Sequence, residues 1–118
     1  MLPHYDDICL PLLVELQRRG GHSRPKDKNR NGQTIYAVLA DHFTLTPADL
    51  AEKVYEEDGT ARSKWENMVR WARNDLKKKG LLVAPSHGVW AVGDRGLSYL
   101  TSKFHLATNS PHRVHLGL

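Results

Sequence analysis

Residues 62–79 read RSKWENMVRWARNDLKKK and hold most of the side chains whose chemistry suits a polyanion. On a helical wheel at about 100° per residue, Ser63, Asn67, Arg70, Asn74 and Lys77 gather opposite Trp65. An amide can pair with adenine and a guanidinium with guanine, so Asn67 and Arg70 have the chemistry of base reading. Lys64, Lys77 and Lys78 suit phosphates better than bases, and Arg62 stands beside them at the start of the segment. The plain alternative is a solvated helix face. Trp71 falls at the flank of this face. Packing against Trp90 or against the first helix is the favoured reading; pressing on a methyl group in a major groove is the other.

A second basic stretch precedes it. Residues 18–30 hold Arg18, Arg19, Arg24, Lys26, Lys28 and Arg30 against Asp27 alone. Residues 62–79 hold seven basic residues against Glu66 and Asp75. The formal net charge of the 118 residues is +4, so the remainder of the chain is net acidic. Positive potential concentrated in two segments is the footprint expected for a nucleic-acid partner.

The elements that would position these residues follow from periodicity and punctuation. A first helix is expected over 5–19, capped by Asp6 or Asp7, with Ile8, Leu12 or Leu13, and Leu16 as its apolar stripe. Pro11 should set its start near Leu10 or kink it. Gly20 and Gly21 end it, and 20–33 reads as a long basic loop. A second helix is expected over 34–43. Thr46, Pro47 and Asp49 then open a short acidic helix or turn that reaches Tyr55, with no strand nearby. Ser63 and Glu66 fit a reciprocal capping box for the basic helix, which runs to Lys79 before Gly80. Its core face is Trp65, Val69, Ala72 and Leu76. The run LLVAPSHGVWAV reads as a hairpin turning at Pro85-Ser86-His87-Gly88. Asp94 is expected to cap a last helix over 95–104 with Leu97 and Leu100 facing in. Residues 105–118 read as a tail or linker, leaving one domain over 3–104.

Helices, a capped basic helix, a glycine, a hairpin and a helix make a mainly α fold with a small β-hairpin, a winged helix-turn-helix. The basic helix would be the recognition helix and the hairpin its wing, with His87 at the tip near a phosphate or minor groove. The expected DNA-contacting set is Arg24, Lys26, Lys28, Arg30, Arg62, Ser63, Lys64, Asn67, Arg70, Trp71, Asn74, Lys77, Lys78 and His87.

The stretches PHYDDICLPLLVEL and WENMVRWARNDLKKKGLLVAPSHGVWAVGDRG resemble the N-terminal domain of Mrr-type restriction proteins. The resemblance rests on Tyr5, Asp6, Leu10, Pro11, Asn67, Trp71, Ala72, Arg73, Leu76, Gly80, Leu81, Trp90, Arg95 and Gly96. Two departures stand out: Met68 occupies a position that is often basic in the family, and the 20–33 loop is longer and more basic. The resemblance implies a winged-helix module that reads methylated double-stranded DNA, methyladenine first and 5-methylcytosine second. It also implies a modification-dependent restriction nuclease, in the parent chain or system, that this module targets. The acids at 49–58 do not make a nuclease centre, so no enzyme is expected in this chain. The alternatives are a dimeric transcriptional regulator on an unmodified operator, and a protein-interaction module.

Other chemistry is excluded or unsupported. Cys9 alone permits neither an internal disulfide nor a cysteine zinc site. His105, His112 and His115 lack a completing ligand, so no metal is expected, nor any cofactor. The start of the chain has no basic run before its apolar residues and no segment approaches a membrane span, giving the expectation of a cytoplasmic protein without a membrane partner.

Overall fold

The computed structural model describes residues 1–104, and the expected tail at 105–118 lies outside the described residues. Five helices and five short strands follow one another: α1 (Tyr5–Arg18), β1 (His22–Ser23), α2 (Ile35–His42), α3 (Pro47–Ala51), β2 (Lys53–Tyr55), β3 (Ala61–Ser63), α4 (Lys64–Lys78), β4 (Leu82–Val83), β5 (Trp90–Val92) and α5 (Asp94–Lys103). The fold is mainly α with a β-hairpin wing, as the sequence leads one to expect.

The core lies where the apolar stripes of α1, α2 and α4 meet. Ile8, Leu12, Leu13 and Leu16 of α1 face Trp65, Val69, Ala72 and Leu76 of α4, and Ile35, Tyr36 and Leu39 of α2 close the side. The Trp65 indole N–H donates to the Tyr36 carbonyl at 2.9 Å inside this core. Phe43 meets the Trp65 ring edge-on at 6.0 Å between centroids, a favoured aromatic geometry.

β4 and β5 form the wing hairpin, pairing Leu82 with Val92 and Val83 with Ala91. β1 adds on the other side of β5, pairing His22 with Ala91 and Ser23 with Trp90. The sheet order is therefore β1-β5-β4, and the segment read as a loop at 20–33 contributes a strand to the wing sheet. A second hairpin, β2-β3, pairs Val54 with Arg62 and stands immediately before α4. It corrects the reading of 49–58 as free of strands. Both strands are three residues long and flank an acidic turn, too short to show a period.

Helix ends account for several smaller corrections. α1 starts at Tyr5, so Pro11 lies inside it; the N–H that Pro11 lacks would have bonded the carbonyl of exposed Asp7, which water can satisfy. Its cap is His4, whose ring nitrogen accepts from the Asp6 N–H, not Asp6 or Asp7. α5 begins after Gly93 without a side-chain cap, and Asp94 is its first helical residue. Leu97 faces outward while Leu100 is buried. Thr46 and Asp49 make the full reciprocal capping box. At α4 only half forms: the Ser63 hydroxyl accepts from the Glu66 N–H. Glu66 turns its carboxylate toward Arg70 and Lys26 instead.

Two glycines fix the approach to the wing. Gly80, at φ +75°, ends α4 with its N–H on the Lys77 carbonyl and the Leu81 N–H on the Leu76 carbonyl. Gly96 lets α5 lie directly on the chain entering β4, since a Cβ there would sit 2.0 Å from the Leu81 carbonyl oxygen. Gly96→Ala must push α5 off this contact, at a cost of about 1–3 kcal/mol. The expected result is a lower urea midpoint; an unchanged midpoint would mean that α5 is not seated there.

Candidate nucleic-acid interface

Burial of the Trp65–Leu76 stripe divides the rest of α4 into distinct flanks. Asn67, Trp71, Asn74 and Lys78 recur at three- and four-residue spacing and form the outer ridge. Trp71 is 51% exposed. It has no ring contact and no hydrogen bond among the described residues. The sequence reading that favoured packing for Trp71 is thus corrected: Trp90 is occupied by Tyr36 and Arg73, and α1 covers the opposite side of α4.

Arg70, Arg73 and Lys77 make a second ridge, turned toward the wing. With Tyr36, Trp90 and the wing residues Ser86, His87 and Gly88 they line a cleft of about 470 Å³ that has no acidic residue in its walls. Arg70 reaches the Tyr36 hydroxyl at 3.5 Å and Glu66 at 3.7 Å. The Arg73 guanidinium lies over the Trp90 ring, 5.3 Å from its centroid. Arg73 was absent from the expected contact set because its wheel angle lies between the core and polar faces. Its signal was the three-residue spacing from Arg70 on the same side.

The third flank meets α1. The Cys9 thiol donates to the Asp75 carboxylate at 3.7 Å, and Lys79 pairs with Asp75 at 2.8 Å. Burial, helped by the Asp75 charge, pushes the Cys9 thiol up to about 11, so it stays protonated near neutrality and is no nucleophile. Cys9 is half-buried rather than fully enclosed.

The basic segment 18–30 divides in the same way between structure and surface. Arg19 is a structural clamp. Its Nε bonds the Glu15 carboxylate at 2.9 Å, with the Arg19 and Glu15 side chains only 8% and 6% exposed. Its two Nη groups donate to the carbonyls of Asp27 and Gln33, which pins the middle and the far end of the loop. Arg18, Arg24, Lys28 and Arg30 line an open cleft of about 740 Å³ with the Arg19–Glu15 pair in its wall. Arg24 donates to the His87 carbonyl at 3.1 Å and so ties the loop to the wing tip. His87 itself is exposed. Lys26 reaches toward Glu66 at 4.0 Å.

At the other end of α4 the expected residues are partly engaged. Arg62 pairs with Glu56 at 2.6 Å and Lys64 with Glu52 at 3.5 Å. Ser63 is the N-cap. The structure therefore brings Asn67, Trp71, Asn74 and Lys78 onto one ridge. It gathers Arg70, Lys77, His87 and Arg24 around the wing, and sets Arg62 and Lys64 apart beside the second hairpin.

Comparison with protein families matches the Mrr N-terminal domain over residues 5–102. The chain belongs to the Mrr N-terminal domain family. The match spans both ridges of α4, the wing and the 20–33 loop. It confirms the resemblance carried by the two sequence stretches. Searches of curated proteins and of solved structures give no significant match. An Mrr N-terminal domain is the non-catalytic, DNA-binding module of a restriction system. Among the described residues no cluster of His, Cys, Asp and Glu could hold a metal ion, and no helix is long and apolar enough to cross a membrane.

The Arg19 clamp yields a stability prediction for this domain. Arg19→Ala leaves the Glu15 carboxylate buried without its close partner and the Asp27 carbonyl without its donor, while the Gln33 carbonyl keeps only the Asn29 N–H. The expected cost is about 3–5 kcal/mol in urea unfolding. A loss under about 1 kcal/mol, the range of an exposed pair, would show that the clamp is open in solution.

Proposed function

We propose that this domain reads double-stranded DNA with the outer ridge of α4 in the major groove and the wing and 20–33 loop on the flanking backbone. The mark it reads is a methylated base, methyladenine first and 5-methylcytosine second, and its role is to target a restriction nuclease of the same chain or system. One observation carries the reading. Trp71 holds an indole half in solvent at the middle of a polar ridge, with Asn67 before it and Asn74 after it. An exposed tryptophan costs apolar surface unless a partner covers it. Flanking amides can fix a base edge while the indole covers a methyl group. Arg24, Lys28 and Arg30 of the loop, Lys77 beside the wing and Lys78 on the outer ridge make no salt bridge among the described residues and are available for phosphates.

Magnitudes limit how the mark can be read. One methyl group taken from water is worth about 0.8 kcal/mol, or about fourfold in affinity. Larger selectivity requires that the amides on either side position the indole, or that two marks are read per site.

The test is a binding panel on one duplex, unmodified and carrying each mark. Methylated DNA should bind at least about fourfold tighter than unmodified DNA. Equal affinity throughout would overturn the methyl reading. Trp71→Ala should stay folded, since the side chain is exposed, and should lose the preference while keeping most unmodified binding. A folded variant with its preference intact would move the reading surface off the outer ridge. With about five to seven phosphate contacts, the affinity should fall with salt at a log–log slope of about −4 to −6. A slope near zero would overturn DNA binding itself.

A further inference from the structure

The cleft between α4 and the wing holds more positive charge than the protein balances. Arg70, Arg73 and Lys77 all line it, and its walls contain no carboxylate. Arg70 has Glu66 nearby, at 3.7 Å. Lys77 has no ion-pair partner among the described residues. Arg73 is the least satisfied: its Nε is buried with no hydrogen-bond partner among the described residues, and its guanidinium lies over the face of Trp90. A buried donor of a cation left without an acceptor is costly, and the residue's charge faces a cleft in which an anion would offset it. Tyr36 adds a donor at the same place. Its oxygen accepts from Arg70, leaving its own proton free, and burial raises its ionisation above the ordinary phenol range, so the proton stays on near neutrality.

We propose that this cleft seats one phosphodiester of the DNA strand that passes beneath the wing, gripped by Arg73, Lys77, Arg70 and the Tyr36 hydroxyl. The inference rests on the DNA-binding reading and assigns one phosphate to a built site within it. A nucleobase fits the cleft poorly. Trp90 and Tyr36 are only 3% and 6% exposed, and Arg73 already covers the Trp90 face, so neither ring offers a surface for stacking. The rims suit a passing strand. Lys77 stands free on one side, and the wing tip, held to the loop through Arg24 and the His87 carbonyl, stands on the other.

The test uses the full chain and a series of duplexes, each with a single uncharged methylphosphonate linkage. For wild type, one linkage should weaken binding by about tenfold, the scale of losing one charge-assisted contact. Arg73→Gln should weaken unmodified duplex similarly, lower the salt slope by about one unit, and show no further loss at that linkage. Lys77→Gln, at an exposed position that cannot disturb folding, should show the same lost coupling to a smaller degree. A second arm needs no DNA: inorganic phosphate, against chloride at equal ionic strength, should shift the Trp90 indole N–H resonance in wild type and not in Arg73→Gln. Full coupling retained in both variants would overturn the seat. A phosphate-induced shift with no linkage dependent on Arg73 would assign the cleft to a free anion and overturn the DNA strand as its occupant. If wild type fails to bind any duplex, the DNA reading falls, while the phosphate arm still decides whether the cleft takes an anion.

Discussion

The rotation of α4 about its own axis is the constraint on which the interface depends. Four buried residues at helical spacing, Trp65, Val69, Ala72 and Leu76, fix which way the helix faces. Apolar burial alone tolerates some rolling of a helix on its neighbours. The Trp65 N–H bond to the Tyr36 carbonyl does not, because it joins two particular atoms at 2.9 Å inside the core. Once it is made, Asn67, Trp71 and Asn74 must point to solvent, and Arg70, Arg73 and Lys77 must point at the wing. Ser63 at one end and Gly80 at the other stop the helix where this division is complete.

The second organising element is electrostatic. The Arg19–Glu15 pair is buried, and its remaining donors close the 20–33 segment onto the end of α1. That closure lets β1 pair with β5 and holds Arg24 against the wing tip. The basic segments are therefore not uniform positive surface. Arg19 stabilises the fold, Arg62, Lys64 and Lys79 have acid partners, and Arg18 lies at the long distance of 3.9 Å from Glu15. Apart from Lys78 on the outer ridge, the cations left over lie around the wing and the 20–33 segment. This sorting by geometry, which the total charge conceals, is why the wing side of α4 is the side proposed to bind anions.

Much of this was legible in the sequence where the signal is local. α4 was readable because its apolar stripe, Ser63 cap and Gly80 stop agree with one another, and the wing because Pro85 to Gly88 interrupt two runs of strand formers. The family resemblance rested on the same stretches and the family match bears it out. What the sequence hid depends on contacts distant along the chain. β1 is two residues long and exists only because β5 supplies a partner nearly seventy residues away. Arg19 looks like its neighbour Arg18 until the fold buries one and leaves the other in water. Trp71 was misread for a related reason. A wheel gives its angle but not which neighbours remain to cover it, and both candidate partners are already used.

Three indoles offer a direct measurement of the central claim, that the outer ridge of α4 and its wing-side flank form the DNA-docking face. Trp65 is sealed in the core, Trp71 stands on the outer ridge and Trp90 floors the cleft behind Arg73. Their side-chain N–H resonances can be followed in a nitrogen-15-labelled sample as a methylated duplex is added at low salt. The account predicts a large shift at Trp71, a smaller one at Trp90 and almost none at Trp65, with the Asn67 and Asn74 amides moving alongside Trp71. Saturable binding that leaves Trp71 and the two asparagines unmoved would contradict it.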